Sequence, residues 1–176
     1  MKFIKTKING LIVIELEPRS DDRGSLERFF CLKEFADNGI DFNLAQAYQS
    51  ISKFKHTLRG LHYQKDPKAE DKIIQCLRGL IYDVAVDLRQ DSPTYGQWVS
   101  QELGGESRKL FVVPKGFAHG YLTLTDDCLV QCLASESHSP EDEAGVRWDD
   151  PFFNIQWPTI DPILSEKDKN WPLTSK

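Results

Sequence analysis

Ile73, Ile74, Gln75, Cys76 and Leu77 form one short apolar run, and after Arg78 and Gly79 a second extends from Leu80 to Val86. The pair reads as two strands joined by a Gly-containing turn. Further candidate strands cover Leu11 to Leu16, Ser25 to Phe30, Ala45 to Ser50, Trp98 to Leu103, Leu110 to Val113, Gly120 to Leu124 and Leu129 to Leu133. Each is bounded by Gly, Pro, Asp or Ser. Many short strands with no long helical pattern between them predict an all-β sandwich, jelly roll or barrel, not a wound parallel sheet. Helix is confined to short pieces. Leu32 to Asn38 is stopped by Gly39, and Ser165 to Asp168 has the spacing of a capping box. Trp157, Pro158, Pro162, Trp171 and Pro172 predict an ordered irregular tail laid over the sheets. No repeat, linker or low-complexity stretch divides the chain, so 1–176 reads as one domain.

Of the 176 residues 40% are hydrophobic, enough for one large core without a metal or disulfide staple. The 22 Lys and Arg against 27 Asp and Glu leave a formal charge of -5. That balance supplies no phosphate-neutralising surface, which argues against nucleic-acid binding but leaves room for a local basic pocket. Cys31, Cys76, Cys128 and Cys132 include no CxxC pair, and Cys76 and Cys128 sit in apolar runs where free thiols behave as small hydrophobes. Lys2 and Lys5 interrupt the N-terminus, and no apolar stretch approaches the roughly 18 residues of a spanning helix. The expectation is a soluble protein of the reducing cytoplasm, without signal peptide or membrane partner.

The four histidines are His56, His62, His119 and His138. His62 lies in Leu58-Arg59-Gly60-Leu61-His62-Tyr63-Gln64. If His62 and Arg59 share a pocket, an acid or base stands beside a fixed cation suited to a carboxylate or phosphate; otherwise His62 is structural and Arg59 a surface residue. His119, in Pro114-Lys115-Gly116-Phe117-Ala118-His119-Gly120, either meets a ligand that the flanking glycines admit or caps a turn. Lys72 either faces inward as a cation or protects a strand end. A metal reading has little local support, because residue 64, two beyond His62, is a glutamine. GxSxG, GxGxxG, GxxxxGK and CxxC are all missing. What remains is a metal-free pocket with imidazole, cations and aromatics, appropriate to proton transfer on an anionic substrate.

Five motifs in order now carry a resemblance. They are Asp22-Arg23-Gly24, Leu58 to Gln64, Asp83-Val84-Ala85-Val86-Asp87-Leu88-Arg89 followed by Ser92-Pro93-Thr94-Tyr95-Gly96, Pro114 to Gly120, and Leu164-Ser165-Glu166-Lys167-Asp168. Together they resemble the dTDP-4-dehydrorhamnose 3,5-epimerase family over essentially the whole chain. The resemblance implies a cupin-type jelly roll with short peripheral helices, a homodimer, and no metal or organic cofactor. It implies a nucleoside diphosphate 4-keto-6-deoxyhexose as substrate, with dTDP as the default carrier. By resemblance His62 is the base that removes a proton alpha to the ketone, Asp168 orients and charge-balances it, and Lys72 faces the C4 oxygen. Arg59 and Lys167, helped by Arg23 and His119, resemble contacts to the diphosphate, nucleotide or sugar. Asp168 carries a second reading as part of a helix cap. Phe3 and Ile4 offer apolar material for a dimer contact.

The departures are specific. Inversion needs deprotonation on one face and reprotonation on the other, and the family's tyrosine acid lies eight residues before a proline matching Pro140. Here that position is Cys132. Either Cys132 supplies the proton as a thiol, or water or His138 at the other family-tyrosine position acts while one carbon is inverted instead of two, or the protein binds a keto sugar and catalyses poorly or uses the enolate for an isomerisation; Cys132 also has a plain reading as core. Arg28, beside Glu27, stands where the family has an acidic residue, and Tyr48 in Gln46-Ala47-Tyr48 where it has an asparagine, so base recognition is open to cytidine, uridine or guanosine carriers. The expected activity is epimerisation at C3, C5 or both. Mono-epimerisation, ketoisomerisation, or nucleotide-sugar binding without catalysis are the alternatives.

Overall fold

In a computed structural model of the chain, which describes residues 1–174, the elements are β1 (Lys2–Lys5), β2 (Ile12–Glu15), β3 (Arg19–Asp21), β4 (Gly24–Leu26), α1 (Leu32–Asp37), β5 (Gln46–Ser52), β6 (Leu58–Gln64) and β7 (Lys72–Arg78). They continue with β8 (Leu80–Asp87), β9 (Trp98–Gly104), β10 (Lys109–Val113), β11 (Phe117–Thr123), β12 (Cys128–Ala134), β13 (Glu143–Gly145) and α2 (Glu166–Lys169). A six-stranded sheet, β1-β2-β10-β7-β12-β5, faces a five-stranded sheet, β13-β6-β11-β8-β9. This is the predicted jelly roll. The predicted strand over Ser25 to Phe30 shrinks to Gly24–Leu26, paired only with β3 in an exposed hairpin.

The run that opened the sequence reading folds differently from the expected hairpin. β7 pairs with β10 and β12, whereas β8 pairs with β11 and β9, so the chain crosses between sheets at Arg78-Gly79. Gly79 turns that corner at φ +81, where a Cβ would sit 2.5 Å from the Cys128 sulfur. Both strands read as continuous apolar runs because each is buried on two faces. Ile74 and Cys76 face the interior between the sheets with Ile81, Ala85, Phe111, Phe117 and Val130. Ile73 faces outward, where Phe35 of α1, Phe42, Leu110, Val112 and Leu133 cover it. On the other sheet, Val84 and Val86 are covered by Val146, Phe153 and Trp157, as the irregular tail predicts. Burying each of these aliphatic side chains contributes about 1.5–3 kcal/mol, an upper estimate against a compact unfolded chain.

β1 pairs with β2, Phe3 packs edge-on against Phe35 at 5.6 Å, and Ile4 packs against the inter-sheet core. Both residues remain partly exposed beside these contacts. Among the described residues no helix is long and apolar enough to cross a membrane.

Candidate active site

A cavity of about 320 Å³ opens between the two sheets. One wall belongs to β5, β7 and β12, which contribute Tyr48, Ser50, Lys72, Ile74, Val130 and Cys132; the other belongs to β6 and β11, which contribute Arg59, His62, His119 and Tyr121. Residues Glu143, Ser165, Lys167 and Asp168 complete the lining. A larger groove of about 670 Å³ runs past Tyr63, Tyr95 and Leu173, but it holds none of the candidate catalytic residues.

Strict alternation along a strand would put Arg59 and His62, three apart, on opposite faces. A bulge resolves this. Arg59 pairs with Tyr121 and His62 with His119, so the two residues Gly60 and Leu61 oppose the single residue Gly120, and both side chains reach one cavity. Gly60 makes the bulge possible at φ +125, with room for a Cβ denied by the Gly120 Cα at 2.6 Å.

His62 Nε2 lies 2.5 Å from Asp168 Oδ1. The Trp171 indole donates to the same oxygen at 3.2 Å and meets the imidazole edge-on at 5.9 Å. Gly145, the cross-strand partner of His62, leaves room for that indole, since a Cβ there would run into its ring. The two readings of Asp168 are reconciled atom by atom. Its backbone N–H donates to the Ser165 hydroxyl at 3.1 Å and closes the cap of α2, while its carboxylate is left for the imidazole.

Burial alone would raise the Asp168 carboxyl, but the bonds to His62, Ser165 and Trp171 outweigh it and hold the group below the usual carboxylate value. A carboxyl lowered on folding contributes stability that is present above its unfolded value of about 3.9 and lost as pH falls through the folded value. Asp168→Asn is therefore expected to be less stable than the parent near pH 7, with the gap closing as the pH is lowered through the acid range below the ordinary carboxylate value. Denaturant melts at neutral pH and across that range measure it.

Lys72 is buried, and its Nζ lies 3.1 Å from Glu70, so a neutralised cation faces the cavity instead of guarding a strand end. On the facing wall His119 Nε2 meets Asp83 Oδ1 at 2.8 Å, and the other Asp83 oxygen is buried without a hydrogen-bond partner among the described residues. Burial raises the Asp83 carboxyl, against the pull of His119 and Lys72. Arg59 is aimed by bonds to the Ser52 hydroxyl at 3.1 Å and the Ile51 carbonyl at 3.2 Å. Lys167 is paired with Glu143 at 2.6 Å. The cavity thus combines a His–Asp dyad, an opposed ammonium and two peripheral cations, a set suited to moving a proton on an anionic ligand.

A family model described as dTDP-4-dehydrorhamnose 3,5-epimerase matches residues 5–176. The chain belongs to that family. It is 44% identical over 173 residues to the dTDP-4-dehydrorhamnose 3,5-epimerase of Methanothermobacter thermautotrophicus, across 97% of this chain and 92% of that one. It is similar in structure to the dTDP-4-dehydrorhamnose 3,5-epimerase of Bacillus anthracis with TDP and PPi bound, at a TM-score of 0.95 and 40% identity, covering 98% of this chain and 99% of that one. A 3'-monoepimerase from Streptomyces bikiniensis in complex with dTDP-quinovose is also similar, with a TM-score of 0.89 and 35% identity over 96% of this chain and 85% of that one. The dTDP-4-dehydrorhamnose 3,5-epimerases are isomerases, and this chain is an enzyme of that class.

Of the site residues expected in this epimerase, the cavity gathers His62, Asp168, Lys72, Cys132, Tyr48, Arg59, His119 and Lys167. The others stand outside it. Arg23 is at the exposed tip of the β3–β4 hairpin, paired with Asp21 at 2.6 Å, and Arg28 is paired with Glu34 at 2.8 Å. The Gln46 amide donates to the Glu136 carbonyl at 3.0 Å, and His138 lies 3.2 Å from Glu143 at the rim. Each histidine except His56 thus has its own carboxylate, which disperses the set that a metal reading would have gathered. Among the described residues no group of three or more His, Cys, Asp or Glu is placed to hold a metal ion.

Sequence reasoning assigned no role to Glu70, Asp83, Glu143 or Trp171. Asp83 had a usable signal: a carboxylate inside the apolar run Leu80–Asp87 must have a buried partner to be tolerated there. Glu70 and Glu143 had none: Glu70, although only two residues from Lys72, lies in a polar stretch where a carboxylate needs no partner, and the Lys167 partner of Glu143 comes from α2, 24 positions on.

Proposed function

We propose that this epimerase inverts C3, C5 or both in a thymidine diphosphate 4-keto-6-deoxyhexose, by enolisation and without metal or organic cofactor. The observation that carries the reading is the Asp168–His62 dyad on one cavity wall, facing Lys72 on the other. With Nε2 turned to Asp168, the second imidazole nitrogen is the base. It takes the proton alpha to the C4 ketone, and Asp168 balances the imidazolium that results. The electron pair delocalises onto the C4 oxygen, where the Lys72 ammonium meets charge that exists only during the reaction.

Arg59 supplies a rigid fork to the diphosphate and Lys167 a more mobile point charge. Two copies work together in the cytoplasm in this reading, with Arg23 and Arg28, exposed on their own chain, serving the nucleotide end of an assembled site. The similarity to a 3'-monoepimerase supports a second outcome, inversion at C3 alone.

Turnover in deuterated water separates these outcomes. Solvent deuterium at both C3 and C5 is expected for double epimerisation, and label at C3 alone for the mono-epimerase. A parent enzyme that binds the sugar nucleotide and incorporates no label at either carbon would remove proton abstraction from consideration.

A further inference from the structure

Inversion requires a proton donor on the wall opposite His62. Among the described residues that wall offers four side chains with exchangeable protons: Tyr48, Ser50, Lys72 and Cys132. Ser50 is bonded to the Tyr121 hydroxyl at 2.6 Å, and Lys72 is held by Glu70 at 3.1 Å. Tyr121 and His119 also carry protons, but they stand on β11, beside His62 on its own sheet. The choice lies between Tyr48 and Cys132, which are direct cross-strand partners.

Three observations separate them. Cys132 is 5% exposed, belongs to the inter-sheet core, and turns its thiol to the Leu133 carbonyl at 3.6 Å. Tyr48 stands on the neighbouring strand of the same face and lines the cavity with a longer side chain, its hydroxyl against the Cys132 sulfur. Beyond that sulfur the Tyr48 hydroxyl has no oxygen or nitrogen hydrogen-bond partner among the described residues. A hydroxyl with only a weak sulfur acceptor beside it is available to a ligand.

Building on the enolisation proposed above, we propose that Tyr48 is the catalytic proton donor on the face of the sugar opposite His62, with Cys132 packed behind it as core. In the step, the Tyr48 O–H bond breaks and a C–H bond forms on the enolate carbon as the C4 carbonyl is restored. The proton first removed rests on His62. The enzyme then holds an imidazolium and a phenolate, and solvent takes one proton from the first and returns one to the second. Burial pushes the phenol above its ordinary range and the Cys132 thiol up to about 11, so both are protonated at neutral pH. Donation proceeds because an enolate carbon is a much stronger base than a phenolate. A phenol at position 48, on the strand next to Cys132, keeps a phenolic donor at this wall.

The test compares Tyr48→Phe, Cys132→Ser and the parent on a thymidine diphosphate 4-keto-6-deoxyhexose in deuterated water. Tyr48→Phe is expected to lower inverted product by about 10²- to 10⁴-fold. It should still exchange the alpha proton for deuterium with retention, because His62 can return a solvent-derived deuteron from its own side. That retained exchange also shows the variant folded and occupied. Cys132→Ser is expected to invert within about threefold of the parent. The assignment is overturned if Tyr48→Phe inverts at the parental rate, if it loses exchange along with inversion, or if Cys132→Ser falls as far as Tyr48→Phe. A parent that neither exchanges nor inverts fails differently, since it removes the enolisation reading on which this one rests.

Discussion

His62→Ala is expected to lower epimerisation by about 10²- to 10⁴-fold while leaving affinity for dTDP within a few fold of the parent. The split follows from where the imidazole acts. In the proposed reaction it holds a base against the sugar, while Arg59 and Lys167, lining the same cavity, are assigned to the diphosphate. Deuterium exchange should fall with turnover, in contrast to Tyr48→Phe, in which only inversion is lost. Asp168 loses a partner in this variant, but its carboxylate keeps the Trp171 N–H, and the variant is expected to fold. Rapid-quench turnover and calorimetric titration with dTDP together decide the matter. Parental exchange in His62→Ala would show that another group removes the proton.

Lys72→Met is expected to cost about 10²- to 10³-fold in kcat, close to 3 kcal/mol, with a much smaller change in KM. Its ammonium is counted on for charge that develops at the C4 oxygen, so its loss is felt in the transition state more than in the bound ketone. Glu70 complicates the variant. The Glu70 side chain is only 9% exposed and has Lys72 at 3.1 Å, so methionine leaves a shielded carboxylate without its counter-ion. Leaving a buried charge unpaired destabilises a fold by about 3–5 kcal/mol in fully buried cases. The double variant Lys72→Met, Glu70→Gln should recover part of the lost stability and none of the lost kcat. Recovery of kcat by the double variant would mean that the ammonium serves the fold and not the enolate.

The class of fold was legible because it is written in local pattern. Ile73 to Leu77 and Leu80 to Val86 are apolar at successive positions, and the structure explains why: both faces of both strands are covered. The pattern does not say which strands pair. Adjacent runs with a glycine between them are consistent with a hairpin, and here the glycine turns the chain from one sheet to the other. The same limit applies to His62 and Arg59. Their separation of three residues is wrong for one face of a regular strand, and only the two-against-one register opposite Gly120 brings them together.

Asp168 shows how a local and a distant role share one residue. Ser165 and Asp168 announce a cap within four residues of sequence, and the backbone N–H honours it. The carboxylate is committed to an imidazole 106 positions away, a pairing that resemblance supplied and residue spacing did not. Tyr48 and Cys132 are likewise 84 positions apart in number and direct neighbours in the sheet.

By itself, the sequence determined the short strands, the all-β class, the caps of the small helices and the identity of the groups able to carry a proton, because each is set by residues close along the chain. The tertiary structure alone decided the distant partners: His62 with Asp168, His119 with Asp83, and Tyr48 with Cys132. His119 with Asp83 and Tyr48 with Cys132 depend on register within a sheet and His62 with Asp168 on where α2 is laid, and a shift of one residue in any strand would turn its side chains to the opposite face.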